Sequence, residues 1–82
     1  MNNLYPSHMV TKHRQKEIWS GRVYELRFNL GLTQEEMAAR LGVTRMSVIN
    51  WETGRFLPAP AIRSQIIELE NQAPSKITRV TA

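Results

Sequence analysis

The side chains best equipped for chemistry fall in one short stretch of this 82-residue chain, Thr44-Arg-Met-Ser-Val-Ile-Asn-Trp51. An arginine can donate two hydrogen bonds at once to O6 and N7 of guanine, and an asparagine can pair with N6 and N7 of adenine. Arg45 and Asn50 are therefore candidates for contact with base edges in a DNA major groove. Met46 and Ile49 could touch thymine methyl groups, and Thr44 completes the base-contacting set. This reading requires a helix whose Val48 and Trp51 face inward, because Arg45, Met46, Ile49 and Asn50 then face outward. Thr33 and Gln34 precede it at the start of another helix, where free amides and the positive dipole end attract an anion. With Ser47 and Arg55 they form the phosphate-contacting candidates. Two alternatives stand beside these roles. Arg45 has as its lesser alternative a solvated or phosphate-contacting charge, whereas Ile49 reads equally as an apolar group packed on the protein or a partner. Trp51 reads as a core aromatic rather than a base-stacking one.

Other chemistries find few residues to work with. The chain has no Asp and no Cys, and both histidines, His8 and His13, lie in a polar N-terminal stretch. A catalytic dyad or metal site needs several such groups converging, so neither an enzyme nor a metal or cofactor site is expected. The missing cysteines exclude disulfides and fit a reducing, cytoplasmic setting. No apolar run approaches the roughly 20 residues of a membrane span, and no small-molecule site is evident. The net charge is +4, of which +3 resides in residues 1–30, none in 31–58 and +1 in 59–82. A basic balance favours polyanionic partners. Lys12, His13, Arg14 and Lys16 could thus form an arm along DNA phosphates or in a minor groove, with a solvated tail as the alternative.

Four helical segments must position these groups. The first is expected from about Trp19 to Asn29, with Ser20 as N-cap and Trp19 and Tyr24 as a hydrophobic staple. Val23, Leu26 and Leu30 form its buried stripe and Gly31 its stop; an extension back through Lys12–Ile18 is left open. Thr33-Gln-Glu-Glu36 is a capping box, followed by the apolar Met37, Ala38 and Leu41 and ended by Gly42. Thr44 caps the next helix, which stops at Gly54. Pro58 and Pro60 frame a last one, whose Ile62, Ile66 and Leu69 share a face, with Pro74 at its end. Small Ala38, pliant Gly42 and inward Met37, Leu41, Val43, Val48 and Trp51 are what two helices joined by a minimal turn require.

The run Arg27-Phe-Asn-Leu-Gly-Leu-Thr-Gln-Glu-Glu-Met-Ala, then Leu41-Gly-Val-Thr-Arg-Met-Ser-Val-Ile-Asn-Trp-Glu-Thr-Gly54, resembles the lambda-repressor/Cro-like helix-turn-helix family over about residues 19–70. The resemblance implies that residues 44–53 are the recognition helix and that Gln34 hydrogen-bonds a DNA phosphate. It also implies an ion pair between Arg27 and Glu52. Family members usually carry two helices after the recognition helix and dimerise there, whereas this chain shows one candidate, about Ala59–Asn71. The segment Trp51-Glu-x-Gly-x-x-x-Pro58 is similar to antitoxins that repress their own operons.

The expected fold is all-α, a small bundle of four to five short helices with flexible termini. It divides into a basic arm (1–18), the helix-turn-helix domain (19–71) and a tail (72–82). The expected function is sequence-specific regulation of transcription, by repression, at a palindromic site on double-stranded DNA read by a homodimer; the alternative is an antitoxin that also binds a toxin protein. Candidate dimer surfaces are the Phe56-Leu57 loop and the Ile62/Ile66/Leu69 face, with an Ile77–Val80 strand as a third.

Overall fold

The computed structural model describes residues 11–73, which form four α-helices in a row. They are α1 (Lys12–Leu30), α2 (Gln34–Leu41), α3 (Arg45–Glu52) and α4 (Pro60–Gln72). No strand occurs among the described residues, and no described helix is long and apolar enough to cross a membrane. Residues 1–10 of the expected arm, and the Ile77–Val80 strand with the rest of the tail from residue 74, lie outside the described residues.

The first helix begins seven residues before the expected Trp19. Thr11 is its cap: the hydroxyl accepts from the Arg14 amide at 3.1 Å and the carbonyl from the Gln15 amide at 2.9 Å. The first two turns are held by local polarity, with Glu17 within 3.4 Å of His13 and 3.5 Å of Arg14. Apolar period cannot reveal such turns. Residues 12–18 are accordingly helix rather than an extended arm. Ser20 is no N-cap; it lies mid-helix and its hydroxyl donates to the Glu52 carbonyl at 2.6 Å. The Trp19/Tyr24 staple falls with it. Trp19 packs half-buried on the core beneath the Arg22 guanidinium, 4.0 Å from its ring centre, while Tyr24 is exposed.

The core joins all four helices. Val23 and Leu26 come from α1, Met37, Ala38 and Leu41 from α2, Val48 and Trp51 from α3, and Ile66 from α4. Trp19, Leu30, Leu32, Val43, Ile62 and Leu69 pack around them. The α2–α3 turn is closed by Gly42 at φ 72°, from which the Val43 amide reaches back to Ala38 O at 2.9 Å. An L-residue with a side chain pays roughly 1–2 kcal/mol in that left-handed region, so glycine fits the turn.

One expected dimer surface is corrected by this packing. Ile66 is fully buried, and Ile62 and Leu69 lie against the same core, so the apolar face of α4 is consumed within the monomer. In a domain this small α4 has to supply one wall of the core, and Ile67 is the large aliphatic it leaves exposed. A bidentate ion pair fastens α4 to α1: Arg22 Nε donates to Glu70 Oε2 at 3.0 Å and Nη2 to Oε1. Hydrogen bonding to Glu70 raises the Arg22 pKa, against the opposing effect of burial.

Candidate nucleic-acid interface

The interface is built on the two short helices that the turn brings together. Thr33 caps α2 reciprocally: its hydroxyl accepts from the Glu36 amide at 3.0 Å, and its own amide donates to Glu36 Oε1 at 2.9 Å. The amides of Gln34 and Glu35, in the first turn, remain free to meet an anion. The neighbouring carboxylates of Glu35 and Glu36 oppose a purely electrostatic attraction there. Donor geometry, rather than net charge, suits this spot to a phosphate.

Thr44 caps α3 in one direction only, its hydroxyl accepting from the Ser47 amide at 3.2 Å, and its Oγ1 lies 3.1 Å from Ser47 Oγ. With Val48 and Trp51 buried, Thr44, Arg45 and Met46 stand exposed, and Ser47, Ile49 and Asn50 are half-buried. Exposure this high is unusual for a methionine in a small domain whose core is otherwise complete; Met46 is 58% exposed. Neither Arg45 nor Arg55 makes an ion pair with a described carboxylate, so both guanidinium groups are available to a ligand. Backbone amides of Arg55 and Phe56 donate to Asn50 O at 2.8 and 3.3 Å, folding the following loop under the end of α3. Asn50's side-chain amide is left unengaged by that loop. Phe56 is exposed, Leu57 half-buried and Pro58 buried.

Glu52 connects the two clusters. Arg27 Nε donates to Oε2 at 2.7 Å and Nη2 to Oε1 at 3.1 Å, while Arg27 Nη1 reaches Leu32 O at 3.0 Å. Gln34 Nε2 donates to Glu52 Oε1 at 3.0 Å. The carboxylate is only 8% exposed, and its hydrogen bonds raise the Arg27 pKa despite the opposing effect of burial. One carboxylate thus ties the middle of α1 and the start of α2 to the end of α3. Gln34 keeps its second Nε2 proton for another acceptor.

Lys12 and Arg14 are exposed and Lys16 half-buried on the first turns of α1, a rigid placement unlike an arm that could thread a groove. The Gln34–Glu52 bond, the Ser20–Glu52 bond and the Arg22–Glu70 pair were not anticipated. Each joins residues 18 to 48 positions apart, and no periodicity carries that information.

Comparison with known proteins agrees with this geometry. Residues 23–63, half of the chain, match the sequence profile of the helix-turn-helix family. An uncharacterized HTH-type transcriptional regulator of Methanothermobacter thermautotrophicus is 48% identical over 44 residues, covering 54% of this chain and 64% of that protein. A second protein so described, from Archaeoglobus fulgidus, is 34% identical over 50 residues, covering 61% of this chain and 71% of that protein. The chain therefore spans less than two thirds of the first relative's length. No solved structure matches it. Two capped helices joined at a left-handed glycine, carried within a stretch that matches the profile, are its defining parts: the chain belongs to the lambda-repressor/Cro-like helix-turn-helix family.

Proposed function

We propose that this protein regulates transcription by binding double-stranded DNA, with α3 in the major groove and the start of α2 against the phosphate backbone. The observation that carries this reading is the free outer face of α3, where Arg45 and Met46 stand exposed beside Asn50 while the end of the helix is tied to α2 through Glu52 and Gln34. Arg45, Asn50, Met46, Ile49 and Thr44 contact base edges. Thr33, Gln34, Ser47 and Arg55 contact phosphates and set the register of the helix. The names of the two archaeal relatives support transcriptional regulation as the use. Repression is the proposed mode, since occupying a promoter needs only a DNA-binding domain. A homodimer reading a palindrome, with half-sites roughly 34 Å apart, would supply discrimination that one short helix lacks.

Selection of bound duplexes from a random pool, followed by titration of the selected site, tests this. Arg45→Ala and Asn50→Ala should each relax preference at one or two positions per half-site. Each should weaken the selected site by about 1–3 kcal/mol while sparing weak non-specific binding. Wild-type affinity and preference in both variants would rule out this reading face.

A further inference from the structure

The outer face of α3 has an order around the helix that differs from its order along the chain. At about 100° per residue from Arg45, Ile49 falls at roughly 40°, Met46 at roughly 100° and Asn50 at roughly 140°. The core-facing Val48 and Trp51 fall at roughly 300° and 240°. The two apolar side chains therefore lie between the two polar ones, and Met46 points almost directly away from the core. The core closes without Met46, which is left more than half exposed. Ile49, half-buried one turn on, extends the same apolar strip.

We propose that this strip reads the C5-methyl group of a pyrimidine, so that 5-methylcytosine is accepted in place of thymine and methylation of cytosine at C5 strengthens binding. This rests on the proposal that α3 lies in the major groove. There a base-pair edge offers hydrogen-bonding atoms and one apolar group, the methyl at C5 of thymine. Neither Met46 nor Ile49 donates a hydrogen bond, and a thioether accepts one only weakly. Pressing them on N4, N7 or O6 strips those atoms of water with nothing in exchange. The methyl group is the match, and 5-methylcytosine carries it at the same ring position.

The rest of α3 favours discrimination between the two cytosines. An unmodified cytosine is distinguished in the major groove by its N4 amino group, for which a carboxylate is the customary acceptor. Glu52 is the one carboxylate of α3, and it is nearly buried and bonded to Arg27 and Gln34. The chain contains no Asp. The helix thus offers N4 no charged acceptor, and the C5 substituent is what remains for Met46 to recognise. Burying one methyl group is worth about a fourfold gain in affinity. Arg45 and Asn50, on either side of the strip, fix the neighbouring purines.

Titration of the full chain against duplexes built on its selected site tests this. Each thymine is replaced singly by uracil, which lacks the C5 methyl. At the position that responds, cytosine and 5-methylcytosine are then compared opposite the same guanine. A thymine in each half-site should lose about fourfold as uracil, and 5-methylcytosine should exceed cytosine by a similar factor. Met46→Gln, at an exposed position, should keep the wild-type melting temperature yet abolish both differences, whereas Met46→Leu should retain them. Equal binding of thymine and uracil duplexes at every position, equal binding of the two cytosines, or a selected site without thymine overturns the proposal. So do differences that persist in Met46→Gln, since an effect of the methyl on duplex shape alone would survive that change. In each of these cases, a site preference still lost in Arg45→Ala and Asn50→Ala leaves the reading of α3 intact. A preference that both variants keep overturns that reading and this proposal together.

Discussion

At the scale of single residues, Gln34 and Arg27 share one carboxylate but are expected to fail differently. Gln34 is half-buried at a helix start, and its remaining Nε2 proton is the group proposed to meet a phosphate. Phosphates carry no base identity, so Gln34→Ala should weaken selected and random duplexes by the same factor in parallel titrations. A loss confined to the selected duplex would contradict the phosphate role. Arg27→Ala removes the one charged group that donates to both Oε1 and Oε2 and leaves the nearly buried Glu52 carboxylate with Gln34 alone. Losing one member of such a pair costs about 3–5 kcal/mol, which denaturant unfolding would register. An unchanged midpoint would mean that the pair has little energetic weight. The identity of this pair came from family resemblance, not from spacing, since 25 residues separate its members.

At the scale of elements, the caps were more legible than the lengths. Thr33 with Glu36, Thr44 with its amide three residues on, and Gly31 and Gly42 at helix ends are local signals, and each bounds a helix in the structure. The start of α1, which the sequence leaves open between Lys12 and Trp19, is not legible because a helix can be held by charge pairs and a cap without any apolar stripe. Thr11 is that cap. Thr11→Ala should cost about 1 kcal/mol locally and fray residues 12–17, visible in backbone chemical shifts. The global melting point should barely move, because the first described residue that packs on the core is Trp19. A large drop in melting temperature would show that the early turns of α1 support the whole domain.

At the scale of the whole molecule, the identity of the core was readable but the destination of α4 was not. The period of Ile62, Ile66 and Leu69 announces an apolar face; whether that face meets its own chain or another depends on how much core the first three helices can enclose unaided. Here they cannot, and Ile66 closes the gap with no exposure at all. Ile66→Ala should therefore destabilise the monomer by about 2–5 kcal/mol, against a small effect for the exposed Ile67→Ala. Comparing the two in denaturant melts below the dimerising concentration distinguishes a core residue from an interface residue. Equal, small effects would return this helix face to the surface.

The carboxylate of Glu52, with its own backbone carbonyl bonded to Ser20, has a consequence for local opening. Three helices converge on one residue, so releasing the end of α3 means surrendering bonds to α1 and α2 in the same event. Amide hydrogens of Val48 and Trp51 should then exchange with solvent deuterium only through an opening that also exposes Met37 and Leu26. Their protection should approach that of global unfolding, while amides of residues 15–18 exchange orders of magnitude sooner. The surface offered to DNA would be among the last parts of the molecule to loosen.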